Sequence, residues 1–250
     1  LDYAARRGAD RIATGHYARI CRLPNGRLSV ANASTAEKDQ TYALYRLTQR
    51  QLEHTEMPLG EYSKEEVRQM AKEAGLSVAH KKDSQEICFI PDRDYASFIR
   101  RFSGEEKAGR AASPGNFVDR EGKILGRHKG IIHYTIGQRK GLNLAMGHPV
   151  FVTGIRTDTR EVVIGENEDL FTRRLVCSRI NVTAEAKLEG ERRLLGRIRY
   201  GHKGTMCRVW PAGEDLWECE FEEPVRAVTA GQSAVFYDEG HIFGGGIIEA

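Results

Sequence analysis

Cys88 is the residue in this sequence whose neighbours most favour reactive chemistry. It follows the polar stretch HKKDSQE and sits in the apolar run Ile87-Cys88-Phe89-Ile90. The cations of His80, Lys81 and Lys82 favour the thiolate, the nucleophilic form of a cysteine. Asp83 and Ser84 add an orienting carboxylate and hydroxyl. A cysteine on an apolar strand is usually a small, inert core residue, and the reactive reading stands beside that one on the polar context alone. Cys21, Cys177, Cys207 and Cys219 lie on predicted strands or strand ends without such company and read as buried structural residues. Five cysteines, an odd number without CxxC spacing, make a disulfide framework or a zinc knuckle a poor first reading and fit a reducing compartment.

Three further groups have types and spacing suited to binding. Gly15-His16 ends a short predicted strand, Ala9 to Thr14, where a glycine either serves a tight turn or lets a nucleotide approach the backbone closely. Lys38-Asp39-Gln40 opens a predicted helix carrying Tyr42 and Tyr45, and reads either as a helix cap or as polar contact with nucleic acid. Arg199-Tyr200, with His202 and Lys203, ends a strand and enters a turn. Arginine pairs with phosphate and tyrosine stacks on a base, which suits an unpaired RNA loop, while a solvated turn reads equally well. No Walker A pattern, GxGxxG after a strand or HExxH occurs, so any ATP phosphate site is expected outside this chain.

These residues need a scaffold, and 250 residues at 40% hydrophobic content supply one. No apolar run approaches the roughly 20 residues of a membrane-crossing helix. The net charge of +3 says little about partners, but its distribution is sorted. Arg120 to Lys140 carries six bases against one acid, Arg173 to Arg208 ten against three, and Glu214 to Glu223 six acids and no base. Such blocks fit a surface that touches phosphate on one side, and fit solvated faces as well. The first stretch alternates helix and strand, as in α/β proteins. Residues 1 to 7 predict a helix stopped by Gly8. Ser63 and Glu66 predict a capping box for a helix with Val67, Met70, Ala71 and Ala74 on one face and Gly75 as its stop. A second helix is predicted with Asp92 as its cap and Tyr95, Phe98, Ile99 and Phe102 on one face.

Ser103 to Pro114 reads as a linker. Hairpins are predicted for Asn116 to Leu125 and Pro149 to Ile164, with a shaped loop and short helix between them. From Leu175 onward only short β runs follow, at the spacing of a small barrel or sandwich.

Taken together, ADRIATGHYARI, EKDQTYALYRL, AGLSVAHKKDSQEICFIPD, GIIHYTIGQRKGL, RIRYGHKGTMCRV and EEPVRAVTAGQSAVFYDEGHIFGGGIIE resemble the tRNA-specific 2-thiouridylases from one end of the chain to the other. The resemblance implies an α/β fold followed by mostly β structure. Its parts would be a partial ATP-pyrophosphatase (PP-loop) α/β domain at 1–102, a small central domain at 103–170 and a C-terminal RNA-binding β-barrel at 171–250. The activity implied is ATP-dependent 2-thiolation of a wobble uridine through a cysteine persulfide. Cys88 matches the persulfide-bearing cysteine, Gly15 an ATP-contacting glycine, and His16 a tRNA-contacting position. Lys38, Asp39, Gln40, Arg199, Tyr200 and Gln232 match further tRNA-binding positions. The resemblance implies ATP together with Mg2+ as cofactors, the phosphate site lying mostly outside this chain; tRNA and a cysteine desulfurase or sulfur-relay protein are the implied partners, with a cytoplasmic location and no membrane.

Family members carry an SGGxDSS phosphate loop and a second catalytic cysteine ahead of the position where this sequence starts. Neither is present, so the resemblance implies an incomplete enzyme that binds tRNA weakly and does not thiolate it unaided. Two other classes remain open on the sequence. One is a non-catalytic RNA-binding module built on the barrel, and the other a sulfur carrier with one reactive cysteine.

Overall fold

Helix α1 (Asp2–Arg6) stops just before Gly8, and the predicted strand after it shortens to β1 (Ile12–Ala13). The computed structural model describes residues 1–35, 39–80, 90, 94–102 and 105–249. Cys88 and its strand, Lys38 and the cap expected at Asp92 lie outside the described residues. The chain divides into two units, residues 1–81 with 173–224 and 229–250, and residues 82–172 with 225–228.

In the first unit, β2 (Ala18–Arg22) and β3 (Leu28–Asn32) form a hairpin. Helix α2 (Gln49–Glu53) then leads to β4 (Thr55–Glu56), which runs parallel to β1. The expected helix after Lys38-Asp39-Gln40 is instead a 3-10 turn, Thr41–Leu44. Its N-terminal side chains bond elsewhere in the fold rather than capping a helix. Helix α3 (Lys64–Glu73) has the predicted capping box: Ser63 Oγ accepts from Glu66 N, and Ser63 N donates to Glu66 Oε2 at 2.6 Å. Gly75, at φ 68°, supplies its stop. The apolar stripe of α3 is not buried, however, with Met70 at 44% exposure. Local capping signals hold this helix, not burial among the described residues.

The second unit opens with α4 (Tyr95–Phe102), whose cap is Asp94: its carboxylate accepts from Ser97 N and Oγ. The expected linker contains a helix, α5 (Glu105–Ala112). That run is mostly Glu, Lys, Ala and Arg, strong helix formers that outweigh its single glycine. The two predicted hairpins follow as β5 (Gly115–Val118) with β6 (Ile124–His128), and β7 (Phe151–Arg156) with β8 (Glu161–Gly165). Parallel pairing of β5 with β8 joins them into one sheet, ordered β6-β5-β8-β7. Phe117, Ile131, Leu142, Val152, Val162 and Ile164 form its core.

The remaining strands return to the first unit: β9 (Phe171–Val182), β10 (Arg192–Arg197), β11 (Thr205–Gly213), β12 (Leu216–Arg226), β13 (Ser233–Asp238) and β14 (His241–Ile248). They pair in the order β13-β10-β11-β12-β9-β14, and β13 pairs with β14 to close a six-stranded barrel. Alternation along β12 buries Trp217, Cys219 and Phe221, as a filled barrel requires. The architecture is thus α/β followed by mostly β, ending in a closed barrel.

The β2–β3 hairpin extends the barrel sheet through β14, with Ala31 opposite His241. The Tyr45 ring lies against Gly245, where an added Cβ would come within 2.8 Å of it. Leu44, Tyr45 and Leu52 share a core with Val235, Tyr237 and Ile242, so the segment after β3 packs directly on the barrel wall.

Candidate functional site

The first corner of the site forms where β1 ends. Thr14 N donates to Glu56 O of β4, after which the chain leaves the strand pair at Gly15-His16. This is the carboxyl end of a parallel strand, the edge at which open α/β sheets bind ligands. Gly15 is exposed, and among the described residues an added Cβ would meet only Leu59 Cδ1, at 3.7 Å. His16 is half-buried, with Nδ1 3.0 Å from Thr14 Oγ1.

From that corner a run of contacts reaches the other predicted positions. Tyr17 N donates to Gln40 Oε1 at 2.9 Å, and Gln40 N donates back to Tyr17 O at 3.0 Å. The neighbouring Asp39 carbonyl accepts from Tyr200 Oη at 3.4 Å. Tyr200, 59% exposed, meets Tyr42 edge-on, with ring centroids 6.4 Å apart. Tyr42 Oη donates to Ser233 O at 2.7 Å, beside the exposed Gln232. Gly15, His16, Asp39, Gln40, Arg199, Tyr200 and Gln232, separated along the chain, therefore fall along one connected region of the first unit.

Beneath this surface Asp39 is held inward. Its Oδ1 accepts from Ala33 N at 3.2 Å, and its Oδ2 accepts from Thr41 Oγ1 at 2.7 Å and from Arg197 Nη1 at 3.1 Å. The Arg197 guanidinium carbon lies 4.7 Å from the centroid of the Tyr237 ring, and Tyr237 Oη is 3.1 Å from Thr41 Oγ1. Burial raises the pKa of Tyr237 and pushes that of Tyr42 up to about 12, so both keep their protons at neutral pH. Burial, then the charges of Arg199 and Arg197, lower the pKa of His202. The neutral ring accepts from Ile198 N at Nδ1 and fixes the turn that carries Arg199 and Tyr200.

Sequence reasoning missed Arg197, Thr41 and Tyr237, and took Tyr42 only as a helix residue. The available signal was Arg197-Ile198-Arg199, where strand alternation puts both arginines on one side, but it does not reveal that Arg197 turns to Asp39.

The basic stripe resolves into two parts. Strand β12 brings the acidic block beside β9 and β11. Glu220 pairs with Arg174 at 3.3 Å and with Arg208 at 2.6 Å, and Glu222 takes Arg193 through two hydrogen bonds of 2.6 and 3.1 Å. Arg192 pairs with Glu185, and Lys187 with Glu189. Much of the stripe is neutralised by its own fold. The turn that carries Arg199 and Lys203 follows the end of β10.

Four cysteines are described. Cys177, Cys207 and Cys219 are buried in the barrel. Burial pushes the Cys177 thiol up to about 12, and burial together with Cys207 raises that of Cys219. Burial also raises Cys21, whose thiol donates to Ser29 O. Such thiols are poor nucleophiles at neutral pH.

Among the described residues no helix is long and apolar enough to cross a membrane. Residues 1–92 match the family described as the tRNA methyl transferase HUP domain, residues 107–166 the tRNA methyl transferase PRC-barrel domain, and residues 172–248 the aminomethyltransferase beta-barrel domain. The chain is 55% identical over 241 residues to the tRNA-specific 2-thiouridylase MnmA of Lachnoclostridium phytofermentans, covering 96% of this chain and 66% of the relative. It is 50% identical to the protein of that name from Clostridium perfringens (97% and 66% covered) and 48% identical to that from Clostridium acetobutylicum (100% and 68%). The chain spans about two thirds of the length of the curated relatives it matches. With matches that run through the α/β segment, the central sheet and the barrel alike, the chain belongs to the tRNA-specific 2-thiouridylase family.

Proposed function

We propose that this chain supplies the tRNA-binding surface, part of the ATP site and one catalytic thiol of a tRNA-uridine 2-sulfurtransferase that forms 2-thiouridine at the wobble position. The observation that carries the reading is the connected region from Gly15-His16 through Gln40 and Asp39 to Tyr200, Tyr42 and Ser233. A binding surface for one RNA needs such gathering, and core packing alone does not place an exposed tyrosine there. Arg199 and Lys38 contact phosphate, Tyr200 stacks on an unpaired base, and His16, Gln40 and Gln232 give polar contacts. The relatives' name, tRNA-specific 2-thiouridylase, agrees with this substrate class.

Gly15 fits a nucleotide because its backbone is exposed and, among the described residues, a Cβ there would touch only Leu59 Cδ1, at 3.7 Å. ATP, entering with Mg2+, supplies the adenylyl group that makes the uridine 2-oxygen a leaving group. Cys88 carries a persulfide whose terminal sulfur attacks C2 as the activated oxygen departs. A second thiol then opens the sulfur–sulfur bond, leaving sulfur on the uridine and a disulfide between the two cysteines. The raised pKa values of Cys21, Cys177 and Cys219 leave these thiols unsuited to that role. A cysteine desulfurase or sulfur-relay protein loads Cys88, and the reaction takes place in the cytoplasm.

The test is Cys88→Ser in the enzyme that carries this sequence. Sulfur incorporation, read by retardation of tRNA in a mercury-containing gel, should fall to background while tRNA affinity stays within about twofold, since one sulfur atom becomes oxygen and no cationic side chain is removed. Undiminished thiolation refutes the assignment of Cys88. Tight tRNA binding by an enzyme that incorporates no sulfur even with Cys88 intact would favour an RNA-binding module.

A further inference from the structure

We infer that Arg197 is a positioning residue for RNA: acting through Asp39, it fixes the 39–42 segment so that Tyr200 stands against Tyr42 as a rigid platform for one unpaired base. This rests on the RNA-binding reading above. The side chains of Arg197 and Asp39 are only 18% and 6% exposed, so neither is placed to meet a phosphate directly. The Asp39 carboxylate already accepts from Ala33 N, Thr41 Oγ1 and Arg197 Nη1. A carboxylate so occupied, and of the same sign as phosphate, serves the RNA by holding its own backbone still. That backbone matters because the Asp39 carbonyl receives the Tyr200 hydroxyl, and the 3-10 turn beginning at Thr41 carries Tyr42.

Arg197 holds the assembly from the barrel side. It is the last residue of β10, and its guanidinium is fixed between the Asp39 carboxylate and the Tyr237 ring. Tyr237 in turn meets Thr41, so two contacts from the barrel wall secure the segment. Tyr42 is anchored separately through Ser233 O. An aromatic platform that is rigid before binding loses less conformational freedom when a base stacks on it.

The experiment uses the full chain and a short RNA hairpin whose unpaired loop carries 2-aminopurine, with affinity, salt dependence and fluorescence quenching measured together. Wild type should bind and quench. Arg197→Met should weaken binding about tenfold and reduce quenching, because stacking is lost. The slope of log affinity against log salt should be unchanged, since no phosphate contact disappears. Arg197→Lys, which keeps the charge, should recover part of the affinity and quenching. Arg199→Met should instead lower the slope by about 0.7 to 0.9.

A folded Arg197→Met chain with wild-type affinity and quenching overturns the inference, as does a fall in its salt slope matching that of Arg199→Met. If Arg197→Met does not fold, Asp39→Asn, which keeps the shape of the carboxylate, should show the same loss of quenching at constant slope. A folded Asp39→Asn chain that binds and quenches as wild type overturns the inference. A wild-type chain that neither binds nor quenches the hairpin removes the RNA reading itself, and this inference with it.

Discussion

Replacing Gly15 by alanine separates what the fold needs from what a nucleotide needs. Gly15 does not adopt a left-handed φ, and among the described residues its added Cβ would meet only Leu59 Cδ1, at an ordinary 3.7 Å. The folded state therefore loses nothing, while the unfolded chain loses conformational entropy, which stabilises the protein by about 0.4–1 kcal/mol. At about 2–4 °C per kcal/mol for a chain of this size, Tm should rise by roughly 1–4 °C. A nucleotide lying close to this backbone would meet the new methyl, at a cost of about 1–3 kcal/mol, or roughly 5–150-fold in ATP affinity. Gly60→Ala is the contrasting case, since its Cβ would lie 2.0 Å from the Ala18 carbonyl oxygen and must move backbone. It should lower Tm sharply. Scanning fluorimetry on the chain and titration calorimetry with ATP on the enzyme that carries it measure the two effects. Unchanged ATP affinity in Gly15→Ala refutes the close approach, and a Tm falling by several degrees refutes the reading of the backbone.

Two more outcomes follow from the packing. Burial, with repulsion from Arg127, lowers the His128 pKa against the opposing Arg160 carbonyl, so the folded state prefers the neutral ring. That ring accepts from Gly130 N at Nδ1 and lies 3.1 Å from Arg160 O at Nε2. Its stabilisation is complete above the unfolded pKa of about 6.5 and is lost as pH falls below it, so Tm should decline from pH 7 to pH 5. His128→Gln should be weaker throughout but flatter with pH, and a decline as steep as wild type would remove His128 as a cause. Gly245→Ala would place a Cβ 2.5 Å from Ala234 O and 2.8 Å from the Tyr45 ring, costing about 1–3 kcal/mol by overpacking. Urea unfolding should show that loss; wild-type stability would mean the segment around Tyr45 yields freely.

The sequence was most legible where local chemistry decides structure. Ser63, Glu66 and Gly75 define α3 without reference to any partner, and the strands of the barrel follow from alternation such as Trp217-Cys219-Phe221. It was least legible where distant residues compete with local signals. Asp39 reads as a helix cap because carboxylates often cap helices, yet a half-buried arginine 158 positions away takes that carboxylate. The run at 105–112 reads as a linker because Gly and Ser flank it, although its interior favours a helix. Residue types and the family resemblance pointed to Gly15, Gln40, Tyr200 and Gln232, which the fold connects, but not to Arg197, Thr41 and Tyr237 behind them, because those three are brought together by the barrel and not by the chain.

Charge blocks show the same limit from another side. In sequence, ten bases from Arg173 to Arg208 look like a phosphate surface. In the fold, β12 places Glu220 and Glu222 within hydrogen-bond reach of Arg174, Arg208 and Arg193. Exposed pairs of this kind, screened by solvent, contribute little to stability. Their larger effect is on binding, since a guanidinium facing a carboxylate must give up that partner before it meets a phosphate. On the proposed RNA-binding reading, the ladder makes this face of the barrel wall a weak competitor for phosphate. On the same reading Tyr200 supplies a stacking face, and the largely covered Arg197–Asp39 ion pair supports the segment it leans on. Base stacking is insensitive to salt and phosphate contact is not, so the two contributions can be measured separately on the same RNA.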